Sequence, residues 1–203
     1  MQIITISREF GSGGREFGKR LAESLGWAYY DKEIILNLAQ SNEKINDLPE
    51  KELLKEYPIS FGKTFSSLSI FRNSAVSLVA KEQRAIRSIA KREENFVIVG
   101  RCADVVLKKH KPFNLFIYAD MNAKIKRCKK HHPKGEKLTD KEMEKKIKQV
   151  DSARRKYHEL VTTEKWGDKK NYHLCVNTSG ADIESLVAPV SEYIKTYFDG
   201  KKK

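Results

Sequence analysis

The densest group of residues able to do chemistry lies at 7–23, SREFGSGGREFGKRLAE, where Gly11, Ser12, Gly13 and Gly14 precede a run with helical spacing. Glycines between a strand and a helix let backbone N–H groups converge on an anion at the helix N-terminus, and phosphate is the anion such loops bind. The usual form is G-x-x-x-x-G-K-[ST], and here its lysine is missing. Two registers fit. In the first, Gly14 is the last glycine, Arg15 replaces the lysine, Glu16 the hydroxyl residue and Glu9 the first glycine. In the second, GGREFGKR (13–20) supplies G-x-x-x-x-G-K literally, with Arg20 where Ser or Thr belongs. Phe17 is in helical phase with Leu21 and Leu25, which favours the first register. The second would place Phe17 in the loop and needs a connection of about ten residues, long for a βα turn. The candidate donor-binding residues are therefore Gly11, Ser12, Gly13, Gly14, Arg15, Glu16 and Phe17. Arg15 supplies the cation, since a guanidinium fork pairs well with phosphate, and Lys19 is a second cation one turn later. The alternative is a glycine turn kept for packing alone.

Other groups carry chemistry only in combination. VIVGR places Gly100 and Arg101 just past an apolar run, where open α/β sheets bind ligands. Asp104 follows within a turn and can orient Arg101 or bind through water. DSARR sets Asp151 and Arg154 three apart, on one helix face, with Arg155 beside them. Such a pair is commonly a surface salt bridge. Beside a phosphate loop it also fits an arginine, carried by a closing segment, that neutralises a transferring phosphoryl group. Asp31 opens a helix as its N-cap or reaches a substrate. Phe61, Phe65, Phe71 and Gln83 can hold a flat base or simply pack. His131 and His132 are adjacent and face different ways, His158 and His173 are isolated, and Cys102, Cys128 and Cys175 lie far apart, so neither a metal site nor a disulfide framework is indicated.

These residues need elements to position them. QIITIS (2–7) reads as a buried strand, followed by a helix from about Arg15 that Gly26 ends. WAYY (27–30) is a short strand and DKEIILNLAQ (31–40) a helix. Residues 41–62 are charged and broken by Pro49, Pro58 and Gly62, an insertion. A long helix over about 65–92 carries Val76, Val79, Ala80, Gln83, Ile86 and Ala90 on one side. NFVIVG (95–100) and FNLFIYA (113–119) are strands, and a helix near 121–130 leads into the polar loop HHPKGEKLTD. Thr139 and Glu142 form a capping box for the next helix. YHLCVNT (172–178) is the last strand and 182–198 the last helix. Strands alternating with helices predict an α/β domain with a parallel sheet.

At 203 residues the chain suits one domain, with room for an insertion. Its net charge of +13 points to an anionic partner. Between Lys124 and Lys156 there are fourteen Lys/Arg against five Asp/Glu, which fits nucleic acid, a phosphorylated small molecule or a solvated lysine-rich surface. No stretch approaches the roughly 20 apolar residues of a membrane span. Met1 runs directly into a strand, leaving no room for a secretory signal, so a cytoplasmic protein with free thiols and no membrane partner is expected.

Together, ISREFGSGGREFGKRLAESLGWAYYDKEII, FVIVGRCADVVL, LFIYADMNAKIKR, DSARRKYHEL and NYHLCVNT resemble the cytidylate kinase-like family. Gly11 to Gly14 match its loop, Gly100 and Arg101 the G-R of its G-R-D, and Asp151 and Arg154 its D-x-x-R. Arg15 stands for the lysine and Cys102 for the aspartate. The resemblance implies a P-loop NTPase fold of nucleoside monophosphate kinase type, with a five-stranded, mostly parallel sheet and helices on both faces. A helical acceptor-binding insertion is expected over about 41–92 and a basic lid over about 129–150. It also implies ATP and Mg2+ as cofactors and a nucleoside monophosphate, CMP or dCMP first, as acceptor. Arg15, Arg101 and Arg154 are then the catalytic residues. Asp31, Arg101, Asp104, Asp151, Arg154 and Arg155 face the substrate. Another acceptor on the same fold, or a non-catalytic nucleotide- or nucleic-acid-binding relative, are the alternatives; residues 124–156 lack the interleaved aromatics that stack bases.

Overall fold

The computed structural model describes residues 1–41, 68–131 and 138–200. Five strands, β1 (Gln2–Arg8), β2 (Ala28–Tyr30), β3 (Asn95–Val99), β4 (Phe113–Tyr118) and β5 (Leu174–Asn177), form one sheet in the order β2-β3-β1-β4-β5. Every pairing is parallel, and Ile4 of the central strand lies between Val97 and Phe113. A strand's side chains alternate between faces, so β1 and β3 each feed two cores. Ile4, Ile6, Val97 and Val99 pack with Phe17 and Leu21 of α1 (Gly14–Leu25) and Ile194 and Phe198 of α7 (Val187–Gly200). Ile3, Phe96 and Ile98 pack on the other face with Ile35 of α2 (Lys32–Ser41) and Ile86 and Ile89 of α3 (Leu68–Arg92). Burial on both faces explains the continuous apolar run FVIV of β3, and in β1 even Thr5 and Ser7 are buried.

A short helix α4 (Ala103–Val106) follows β3. Beyond β4 come α5 (Met121–Lys130) and α6 (Asp140–Val161), joined by a small core of Ile125, Met143 and Ile147. The capping box forms: Thr139 Oγ1 accepts the Glu142 N–H at 3.3 Å, and Glu142 Oε2 accepts the Thr139 N–H at 2.8 Å. Gly26, with φ of +67°, closes α1.

The buried stripe of α3 is Glu82, Ala85, Ile86, Ile89 and Ala90. It passes through Glu82 and not through Gln83, which is half-exposed and accepts a hydrogen bond from Arg87. Phe61, Phe65, His132 and the Phe71 side chain lie outside the described residues, as do most of 41–62 and part of the expected lid.

Candidate active site

The site is built where β1 and β3 end. Helix α1 begins at Gly14, the Phe17 N–H bonds Gly13 O at 2.9 Å, and the Phe17 ring is fully buried. Gly18 lies inside the helix, where a Cβ would come within 2.7 Å of Val99 Cγ2. Residues 13–20 therefore cannot form the loop, and the register ending at Gly14 is the one the chain adopts. Phe17 offers a ligand neither an amide nor a ring, which corrects its place among the donor-binding residues.

Gly11 and Gly13 have φ of +75° and +79°, a region that favours glycine. Added Cβ atoms would also come within 2.7 Å of Cys128 Sγ at Gly11 and 2.5 Å of Ile183 Cδ1 at Gly13. The N–H groups of Gly11, Gly13, Gly14, Arg15 and Glu16 have no protein acceptor among the described residues. Five unsatisfied donors at one helix N-terminus fit the phosphates of a nucleotide. The Ser12 hydroxyl takes no part, because it turns back to Glu9 O at 2.7 Å.

Elements distant in sequence hold this loop. Asp151 Oδ1 accepts the Phe10 N–H at 2.7 Å. Lys124, buried on α5, lies 2.6 Å from Glu9 Oε2 and 3.4 Å from Asp151 Oδ2. Arg127 donates to Gly11 O at 2.8 Å and Thr178 O at 3.2 Å, and Thr178 Oγ1 donates to Ser12 O at 2.7 Å. Burial pushes the Asp151 carboxyl up, against the lowering effect of the Phe10 N–H and Arg154. Asp151 is thus an anchor of the loop, a role its spacing to Arg154 does not reveal.

The cations are arranged differently from the sequence expectation. Arg15, 61% exposed at its side chain, donates Nε to Asp31 Oδ2 at 2.8 Å and Nη2 to Glu33 Oε2 at 2.7 Å. The bond to Glu33 is the main reason its pKa is raised. The guanidinium expected to stand in for the lysine is committed to two carboxylates. Asp31 also caps α2, accepting the Glu33 and Ile34 N–H groups at 3.0 and 3.2 Å. Glu16 turns to Arg20 at 3.0 Å, and Lys19 stays outside near Glu23.

Past β3, Gly100, Arg101 and Cys102 all have positive φ, at +83°, +58° and +52°. Holding two non-glycine residues there costs roughly 1–2 kcal/mol each, and strain of that kind clusters at functional sites. It presents Arg101 to Glu82 and Tyr157: Nε lies 3.3 Å from Glu82 Oε1, and the guanidinium sits 5.1 Å from the Tyr157 ring centroid. The Tyr157 hydroxyl donates to Glu82 Oε2 at 2.6 Å. Glu82 is completely buried, and burial pushes its carboxyl up despite Arg101. Asp104 does not orient Arg101. It is buried near His158, and burial raises its pKa. Arg155 is exposed on α6, outside the cluster. Burial pushes the Cys102 thiol far up, so it is not a reactive thiolate.

Arg154 reaches the loop. Its Nη1 donates to Arg8 O at 2.9 Å and lies 3.7 Å from Asp151 Oδ1, with the guanidinium 5.6 Å from the Phe10 ring centroid. Arg8 itself was not singled out by sequence reasoning. It ends β1, and its side chain lies against Gly100, where a Cβ would collide with Arg8 Nη1. Among the described residues no three Asp, Glu, His or Cys side chains gather to hold a metal ion. Glu16 and Asp31, the carboxylates beside the loop and its first helix, are paired with Arg20 and Arg15.

The comparisons bear on the family and the fold. The model of the cytidylate kinase-like family matches residues 3–180. The chain belongs to the cytidylate kinase-like family. No curated protein matches it. Among solved structures it is similar to an uncharacterized protein from Eubacterium ventriosum ATCC 27560, at 27% identity and a TM-score of 0.72, covering 96% of this chain and 99% of that one. It is also similar to shikimate kinase from Bacteroides thetaiotaomicron (16% identity, TM-score 0.57, covering 96% and 98%). Shikimate kinase from Acinetobacter baumannii, in complex with shikimate, gives 13%, 0.52, 97% and 94%. These kinases share the P-loop kinase fold with this family member. Among its described residues no helix is long and apolar enough to cross a membrane.

Proposed function

We propose that the chain transfers the γ-phosphoryl group of ATP to a nucleoside monophosphate in the cytoplasm, with CMP or dCMP as the first candidates. The observation that carries this is the loop of unsatisfied N–H groups at the end of β1, the sheet end to which two other elements bring Arg101, behind β3, and Arg154, on α6. When bound, ATP would supply the phosphoryl group and Mg2+ would supply charge neutralisation.

The chain's own residues bind and align. The amides of Gly11, Gly13, Gly14, Arg15 and Glu16 hold the donor phosphates. Arg101 holds the acceptor phosphate, and Arg154 bridges donor and acceptor. The acceptor's phosphate oxygen, already without a proton, bonds to the γ-phosphorus as the bond to the β–γ bridging oxygen breaks, and ADP leaves with that electron pair. Transfer of this kind needs alignment and electrostatic stabilisation more than a general base. Arg15 fixes the β2–α2 junction against the loop, and segments 41–92 and 129–150 serve as acceptor-binding insertion and lid.

A second reading, transfer to a small hydroxylated acceptor, draws on Glu82. Its Oε1 is buried beside Arg101 with no hydrogen-bond donor, so an acceptor O–H or N–H can complete it. The test is an ADP-release assay over nucleoside monophosphates and small hydroxylated acids, with oligonucleotide binding measured in parallel against salt. CMP-dependent ADP release supports the first reading. Release only with a hydroxylated acid supports the second. Salt-sensitive oligonucleotide binding without turnover supports a non-catalytic binder.

A further inference from the structure

We propose that Arg8, and not Arg15, is the cation that replaces the loop's missing lysine, holding the transferring phosphoryl group between the loop amides and Arg101. The proposal deepens the phosphoryl-transfer reading and rests on it.

Position is the first ground. Arg8 is the last residue of β1, and its stem crosses the start of α1: a Cβ on Gly14 would lie 2.6 Å from Arg8 Cβ. Its head lies against Gly100, so closely that Nη1 fills the place a Cβ there would take. The side chain thus spans from the N-terminus of α1, where the free amides are, to the turn that presents Arg101. With the donor on the loop amides and the acceptor on Arg101, as proposed above, the transferring phosphoryl group lies in that interval.

Partnership is the second. The other arginines around the loop are engaged: Arg15 with Asp31 and Glu33, Arg20 with Glu16 and Glu184, Arg101 with Glu82, Arg127 with two carbonyls, Arg154 with Asp151 and a carbonyl. The Arg8 guanidinium makes no hydrogen bond or ion pair among the described residues. Its neighbouring charges are mainly of its own sign, Arg154 and Arg101, with Asp31 a weaker influence; burial first and those two arginines next push its pKa down. A third guanidinium beside Arg101 and Arg154, which already take up the carboxylates of Glu82 and Asp151, is unfavourable until a multiply charged anion enters. Arg8 stays charged throughout transfer and exchanges no proton, because a guanidinium does not titrate in the working range.

The test compares Arg8→Met, Arg8→Lys and Arg15→Met in the full chain. It measures ATP·Mg2+ affinity by calorimetry and the melting temperature with and without inorganic tripolyphosphate. Arg8→Met keeps the stem, so the ligand-free melting temperature should stay level or rise as repulsion is relieved. Its ATP affinity should fall on the order of 30-fold, the scale of losing a charge-assisted contact, and the stabilisation by tripolyphosphate should vanish. Arg8→Lys should recover most of that affinity, and Arg15→Met should change it less than about threefold, as expected for an exposed side chain already paired. Wild-type affinity in Arg8→Met, or a large loss in Arg15→Met alone, overturns the proposal and leaves the functional reading intact. So does a fall in melting temperature with no recovery in Arg8→Lys, which marks Arg8 as a packing residue. Tripolyphosphate binding that depends on Arg8 in a chain that does not bind ATP supports the anion site and instead overturns the functional reading.

Discussion

Arg154, on the helix after the basic segment, donates its Nη1 to the carbonyl oxygen of Arg8 at 2.9 Å, across 146 residues of sequence. The D-x-x-R pair is therefore no exposed salt bridge. Both side chains are largely buried against the phosphate loop, and Asp151 holds the Phe10 N–H. Arg154→Ala should lower the single-turnover rate by roughly 10²-fold or more, the scale of losing a transition-state donor. It should also cost about 1–2 kcal/mol of stability through the lost hydrogen bond. Single-turnover kinetics and urea unfolding on the same variant check both numbers. An unchanged rate with reduced stability would leave Arg154 as a loop anchor only.

Arg15 and Lys19 should both be tolerant. Arg15→Ala leaves Asp31 with the two amides it caps, and the exposed guanidinium is screened by solvent, so the loss should stay below about 1 kcal/mol. Lys19→Ala should be neutral within about 0.5 kcal/mol. Thermal melts of the two variants decide this, and a severe loss of ATP binding in either would return the loop's cation to α1.

Gly100→Ala tests the contact between β3's turn and Arg8. The new Cβ meets Arg8 Nη1 at a residue with φ of +83°, so the substitution should cost at least ~1 kcal/mol and reduce ATP affinity by displacing the guanidinium. Gly26→Ala is the control. It has φ of +67° and nothing within 4 Å, and should cost about 1 kcal/mol with turnover unchanged. Equal turnover in both variants would contradict the placement of Arg8.

Much of this was legible in the sequence. Apolar runs such as NFVIVG read as buried strands, and the phase of Phe17 put the start of α1 near Arg15, one residue from its observed start at Gly14. Arg8 and Glu82 were not legible, and for one reason. Each is a charged residue inside an otherwise apolar pattern, Arg8 at the end of β1 and Glu82 in the stripe of α3. Reading the pattern by hydrophobicity places the α3 stripe on Gln83 and ends the first strand at Ser7, one residue short of Arg8. A charge interrupting a buried period was the available signal. The Glu9–Lys124–Asp151 network and the capture of Arg15 by Asp31 and Glu33 depend on contacts between separate elements, which spacing within an element does not encode.

The Glu82 carboxyl gives a pH dependence with a definite sign. Burial raises its pKa from the ordinary 4.5, so the folded chain holds that proton more tightly than the unfolded one. Its contribution is fully present below 4.5 and is lost as pH rises through the raised value. Glu82→Gln removes that dependence, while the raised carboxyls of Asp104 and Asp151 remain in both proteins. Urea unfolding of the two at successive pH values should show the wild type losing stability relative to the variant above pH 4.5. A difference of the opposite slope would mean that Arg101 outweighs the burial.

Phosphoryl transfer is read out by following label from γ-labelled ATP. Wild-type chain incubated with ATP, Mg2+ and CMP or dCMP should place the label on the nucleotide acceptor, and Arg154→Ala should slow that step far more than it weakens ATP binding. Tight ATP binding with no label reaching any monophosphate would contradict the account.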